Sequence, residues 1–219
     1  MSRKKLQRFK ENEENRNVVQ PGKEIFEKIK GQWNSVQFEN NHPNVVELAC
    51  GRGEFTVGLA RQYPGKNFIG VDIKGARIWK GSTIAIAEGL NNVAFLRTQI
   101  QLLDKFFELG EISELWITFP DPFPRDGDEK RRLTSPRFLD MYKPLIKADG
   151  IVHFKTDNTG LFDYTLDLVK QRGDCEIILH THDFYESPWK DEHHGIQTKY
   201  EKLFSEKGEK IKYLKFLFK

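Results

Sequence analysis

The chain has 219 residues, 31% of them charged, with a net charge of +3 and only two cysteines, Cys50 and Cys175. This length suits one domain with a substantial core, and two distant cysteines exclude a disulfide framework and a CxxC-based zinc module. A balance this close to neutral does not by itself point to a polyanion, and no apolar run nears the ~18–20 residues of a membrane span.

Residues 1–22 open basic, turn mixed, and end at Pro21-Gly22 with few apolar anchors. They read as a flexible N-terminal arm, with a single domain over residues 23–219. The polar start holds no apolar signal core, so a soluble, cytoplasmic protein is expected. Ile25, Phe26, Ile29, Trp33 and Val36 recur near helical spacing, which predicts an amphipathic helix over 23–38. Val45 to Ala49 reads as a buried first strand ending in a glycine loop, Cys50-Gly51-Arg52-Gly53-Glu54. A helix carrying Phe55, Val57, Leu59 and Ala60 follows. Phe68 to Ile73 is a second strand bearing an acid, Asp72, near its end. A helix over 78–87, a third strand over 93–96 and a short helix with Leu102, Leu103, Phe106 and Phe107 come next.

The fourth strand, Leu115 to Phe119, stops at Pro120. Pro120, Pro122 and Pro124 then bracket Asp121, and each proline fixes φ and restricts the residue before it. Asp121 is therefore held stiffly at a strand end, just before Arg125, Lys130, Arg131 and Arg132. A helix around Phe138 to Tyr142, a fifth strand over 150–155, a helix from Leu161, a sixth strand over 176–180 and a last strand over 211–218 complete the chain. Strands alternating with helices predict an α/β domain with a doubly wound, mostly parallel sheet. In such sheets ligands bind beyond the carboxyl ends of the strands, where the strand order reverses. The glycine loop, Asp72, the 96–101 region and Asp121 all fall at such ends.

Gly51-x-Gly53 lets a ligand approach the backbone, but Thr56 stands where a dinucleotide loop wants its third glycine. Glu47 just before the loop would repel a pyrophosphate and offset a cation. Together these favour a cationic, phosphate-free nucleoside cofactor, and S-adenosylmethionine fits. Asp72 is placed to accept from ribose hydroxyls. Thr198 and Glu201 have the spacing of a helix capping box. His180, His182, His193 and His194 lack a Cys or acid at ligand spacing, so no metal is expected, and Cys50 reads as a small buried residue.

The segments ELACGRG, GVD, FPDPFPR, KRRLTSPRF, HFKTDNTGLFDY and TKYEKLF, in this order, resemble the bacterial tRNA (guanine-N7)-methyltransferase family from about residue 44 onward. The resemblance implies a Rossmann-like class I methyltransferase with a seven-stranded sheet and helices on both faces. It implies methyl transfer from S-adenosylmethionine to N7 of a guanine in the variable loop of tRNA. Under it Asp121 is catalytic and also touches the cofactor, together with Glu47, Gly51, Gly53, Asp72 and Gln99. Arg125, Asp157, Thr198, Lys199, Tyr200 and Glu201 match its substrate-binding positions. Lys130, Arg131 and Arg132 match its RNA-contacting segment. Three positions depart from the pattern: Ala49 replaces the first loop glycine, Gln99 replaces the usual Asp, and Arg125 replaces the usual Lys. An amino-group methyltransferase, acting on adenine N6 or a protein, is a second reading. There Asp121-Pro122-Phe123 lacks the expected second proline. A non-catalytic RNA-binding module on the same fold is a third. Monomer and homodimer both stay open.

Overall fold

The computed structural model describes residues 3–219; Met1 and Ser2 of the expected arm, and the side chain of His193, lie outside the described residues. The chain runs α1 (Arg3–Glu14), β1 (Val18–Val19), α2 (Glu24–Lys28), β2 (Asn44–Leu48), α3 (Glu54–Gln62), β3 (Asn67–Val71), α4 (Gly75–Ala87) and β4 (Val93–Leu96). It continues through β5 (Ile112–Thr118), α5 (Pro136–Tyr142), β6 (Ile146–Thr156), α6 (Thr159–Gln171), β7 (Cys175–Thr181), α7 (Lys199–Glu206) and β8 (Lys212–Phe218). The sheet order is β1-β4-β3-β2-β5-β6-β8-β7. Pairings from β1 to β6 are parallel, and β8 inserts antiparallel between β6 and β7.

Apolar residues alternate across the central strands and bury both faces. Val46, Leu48, Leu115 and Ile117 pack with α5 and α6 on one face. Val45, Trp116 and Phe95 pack with α3 and α4 on the other. A sheet buried on both sides needs near-continuous apolar strands, and β2 to β5 supply them. The chain passes from β2 outward to β3 and β4, then returns to place β5 on the other side of β2. The order therefore reverses between β2 and β5, which is where a ligand crevice opens.

Two expectations change. The 23–38 segment is not one helix. Gly31 takes φ +70, and the Gly31 and Trp33 amides donate to the Glu111 carboxylate instead of continuing the ladder. A π-helical turn, Trp33–Phe38, then seats the Trp33 ring in the core, with its Nε1 donating to the Phe106 carbonyl. The arm, expected to be flexible, is folded. Its helix α1 docks on α4, where fully buried Asn12 donates to the Gly75 carbonyl at 2.8 Å. Val18 and Val19, both buried, then pair with Phe95 and Leu96. Two adjacent valines suffice to add an edge strand, so the sheet has eight strands where seven were expected.

Candidate active site

A cleft of about 1360 Å3 opens over the carboxyl ends of the parallel strands, at the β2/β5 reversal. Glu47, Gly51, Asp72, Gln99, Asp121 and Asp157 line it, joined by Lys130, Arg131, Thr198, Lys199 and Tyr200. Gly53, Arg125, Arg132 and Glu201 do not. Gly53 sits against the sheet, Arg132 turns back onto the proline loop, and Glu201 points into the core. Arg125 is exposed, and among the described residues its side chain has no hydrogen-bond or ion-pair partner.

The glycine loop holds three left-handed residues in five positions: Ala49 (φ +55), Gly51 (φ +58) and Gly53 (φ +70). A Cβ at Gly53 would lie 2.5 Å from the Phe95 ring, so Gly53 is small because α3 packs tightly against β4. At Ala49 the same backbone region carries a side chain, a strain that glycine would relieve. Asp72 ties the loop down from β3: one carboxylate oxygen accepts from the Gly51 amide at 3.0 Å, the other from the Lys74 amide at 2.7 Å.

Glu47 points from β2 into the base of the cleft and is buried. One of its oxygens accepts from both the amide and the hydroxyl of Thr56, and the other from the Thr118 hydroxyl at 2.7 Å. Burial nevertheless outweighs these bonds and pushes its pKa up to about 7. Sequence reasoning alone misses Thr56 and Thr118 as site residues. A signal for Thr56 is present: it occupies the position where a dinucleotide loop keeps its third glycine, and here it serves the acid instead. Gln99 lies exposed at the end of β4.

Across the reversal, the proline loop is strained where it meets its own prolines. Phe119 (φ +49) and Phe123 (φ +43) each precede a proline and each line the cleft. Such conformations cost roughly 1–3 kcal/mol and collect at functional sites. The Phe119 amide donates to the Lys155 carbonyl at 2.9 Å, fixing the loop to β6. Arg132 does not face the cleft; its Nε donates to the Phe123 carbonyl and its guanidinium covers the Tyr164 ring at 4.4 Å. Arg131 lies over the Phe123 ring and pairs with Asp128. Asp121 is thereby presented to solvent on a loop braced from both sides.

Asp157 follows β6. The cap of α6 is Asn158, which accepts from Leu161, so the Asp157 carboxylate is not spent on the helix. Burial raises its pKa. The Thr198–Glu201 capping box starts α7, as its spacing predicts. Glu201 turns inward, fully buried, with Lys155 at 2.6 Å and the Tyr185 hydroxyl donating at 2.8 Å. It holds α7 in place while Thr198, Lys199 and Tyr200 face the cleft. Cys50 is buried, and burial drives its thiol pKa well up. Among the described residues, no group of three His, Cys, Asp or Glu side chains is placed to hold a metal, and no helix is long and apolar enough to cross a membrane.

Residues 41–214 match a family model described as a putative methyltransferase. A tRNA (guanine-N7)-methyltransferase of Cytophaga hutchinsonii is 52% identical over 219 residues, covering 100% of this chain and 99% of that protein. One from Christiangramia forsetii is 50% identical over 100% of this chain and 99% of its own length. One from Levilactobacillus brevis is 39% identical over 87% of this chain and 85% of its own. Among solved structures, the antibiotic-resistance methyltransferase Kmr superposes with a TM-score of 0.59 at 16% identity, covering 84% of this chain and 90% of Kmr. The 16S rRNA methyltransferase KamB gives 0.58 at 16% identity, over 87% of this chain and 90% of KamB. These two likenesses bear on the fold, which is that of class I methyltransferases.

Proposed function

The chain belongs to the tRNA (guanine-N7)-methyltransferase family, and from that premise we propose that it methylates N7 of a guanine in the variable loop of tRNA, with S-adenosylmethionine as donor. One observation carries the reading. A single cleft joins buried Glu47 and Asp72, at the ends of β2 and β3, to an exposed acid on a braced loop and to the cations of residues 130–131.

The residues present fit the cofactor. Gly51 leaves the loop backbone open, Asp72 keeps free lone pairs for ribose hydroxyls, and Glu47 supplies negative charge beside the loop. Gln99 is placed to accept from an adenine amino group. When bound, S-adenosylmethionine supplies a methyl group on an electrophilic sulfonium. Guanine N7 carries a lone pair and no proton, so the chain needs no obligatory base. Its task is to position the ring and to stabilise the cation that develops on it. Asp121 takes the second role, and Asp157 accepts from the N1–H and N2–H edge. Lys130 and Arg131 hold the RNA backbone, and Thr198, Lys199 and Tyr200 close the cleft from α7. Glu201 and Arg132 act through their partners.

The deciding experiment supplies labelled S-adenosylmethionine and tRNA lacking the modification. Product cleavable by borohydride and aniline at one guanine is expected. Label in adenine or in protein would overturn the reading.

Glu47 gives a pH dependence. Its folded pKa of about 7 lies above the ordinary 4.5, so the folded state holds extra protons between those values. Its contribution to stability therefore falls as pH rises through that window. A cationic ligand selects the ionised form, so cofactor affinity is expected to rise roughly ten-fold from pH 6 to pH 8. Calorimetry on wild type and Glu47→Gln separates this share from the ligand's own ionisation. An identical pH profile for the two proteins would remove Glu47 from the cofactor site.

A further inference from the structure

The charge order in α1 runs against its own stability. Its first eight residues carry five cations (Arg3, Lys4, Lys5, Arg8 and Lys10) and no acid, while Glu11, Glu13 and Glu14 crowd its last turn. A helix dipole favours the reverse arrangement. Helix stability therefore does not explain why the cations stand at that end. Their surroundings do. Arg8 lies over the Trp79 ring at 4.7 Å and lines the rim of the active-site cleft. Lys5 joins Lys74, Arg77 and Arg97 around a smaller hollow of about 360 Å3 beside that cleft. Arg97 is held there over the Phe9 ring of α1 at 4.9 Å.

None of Lys4, Lys5, Arg8, Lys74, Arg77 or Arg97 forms an ion pair with a described carboxylate, whereas Arg61, Lys66, Lys143, Arg172 and Lys215 elsewhere all do. The helix itself is firmly placed. Asn12 reaches the Gly75 carbonyl, Asn15 the Ser82 hydroxyl, and Trp79 Nε1 donates to Glu11. This patch thus lies on the β3/β4 side of the cleft, opposite the cations of residues 130–131 on the β5 side. Its α1 half, Lys4, Lys5 and Arg8, lies outside the 41–214 span of the family model, while Lys74, Arg77 and Arg97 lie within it.

We propose that α1 is a second phosphate grip, which holds the backbone of the substrate RNA on the side of the cleft opposite Lys130 and Arg131. The inference rests on the tRNA reading. Cations flanking a cleft on two sides, those on the α1 side without a carboxylate partner, suit a polyanion laid across it, with its target base over the centre. Each phosphate neutralised releases counterions, so the contribution is read from salt dependence.

The test is the triple variant Lys4→Ala, Lys5→Ala, Arg8→Ala, with Lys28→Ala, Lys147→Ala, Lys170→Ala as a control of equal charge that leaves the cleft lining intact. Binding to unmodified tRNA is measured across a salt series without cofactor. The α1 variant is expected to lose roughly ten-fold or more in affinity near 0.1 M salt, with its log–log salt slope shallower by about 2, while the control stays near wild type. Its melting temperature is expected to stay near wild type, because removing Lys4 and Lys5 from the positive end of the helix dipole offsets the lost Arg8–Trp79 contact. Equal losses in the two triple variants would overturn the proposal in favour of net charge alone. So would a wild-type slope in the α1 variant, or a loss of affinity that tracks unfolding. Methylation of tRNA by the wild-type protein is scored separately. Its failure would sink the activity, whereas the affinity ratio between variants judges the grip.

Discussion

Replacing Asp121 with Ala is expected to cut turnover by about a thousand-fold or more, or roughly 4 kcal/mol of transition-state stabilisation, and to leave the fold intact. The size follows from the reaction. N7 attack needs no proton removed, so most of the chain's leverage lies in geometry and in the charge that appears on the ring. One carboxylate beside that charge, with bound tRNA excluding water from the cleft, would be worth far more than in water. Its aim is set by strain in Phe119 and Phe123, by the Phe119 amide bonded to Lys155, and by Arg132 clasping the Phe123 carbonyl. The side chain is itself exposed and carries no described hydrogen bond to the core, so its removal costs little stability. Single-turnover rates with saturating tRNA measure the effect, and thermal melting confirms the fold. Asp121→Asn keeps the shape and drops the charge; it is expected to remain severely impaired. Turnover near wild type in either variant would take the catalytic role away from Asp121.

Much of this site is legible in the chain itself. The strand ends stand out because apolar runs stop abruptly at a glycine loop or an acid. Because the strand order reverses at β2, those separate ends converge in one cleft. Asp121 and Asp72 need only that rule; it reaches the 96–101 region, and the family resemblance singles out Gln99 within it. What escapes are contacts made across the sheet. Thr118 reaches Glu47 from 71 positions away, and no local pattern announces it. Lys155 and Glu201 lie on β6 and α7, so each reads alone as a strand lysine or a capping acid. Glu201 was expected at the substrate; the structure spends it inside. Arg132 was expected on RNA, yet it braces the proline loop. The arm misleads for a related reason. A helix with a highly polar surface looks solvated in sequence, but Asn12 and Phe9 pack against Gly75 at the start of α4, a neighbour that only the fold supplies.

The Lys155–Glu201 pair should dominate stability. Lys155 Nζ lies 2.6 Å from the Glu201 carboxylate, and both side chains are removed from solvent. Phe184, Phe55 and Phe119 surround the ammonium at 5.1, 5.6 and 5.9 Å from their ring centroids. Burial pulls the Lys155 pKa down, and Glu201 opposes that pull. Lys155→Met fills the space but strands Glu201 without its cation. Removing one partner of a buried pair costs roughly 3–5 kcal/mol, which lowers the melting temperature of a chain this size by about 10 °C. Adding Glu201→Gln should recover roughly half of that loss. The amide is neutral, and its single oxygen still accepts from the Tyr185 hydroxyl; the Thr198 amide loses its acceptor, while the Thr198 hydroxyl still accepts from the residue 201 amide at the start of α7, which is why the recovery is only partial. The double variant is thus expected to be more stable than Lys155→Met alone, although each single change destabilises. Chemical denaturation of the four proteins gives the coupling energy directly. Simple additivity would show that the two charges do not sense each other, and that α7 is held over the cleft by the capping box alone.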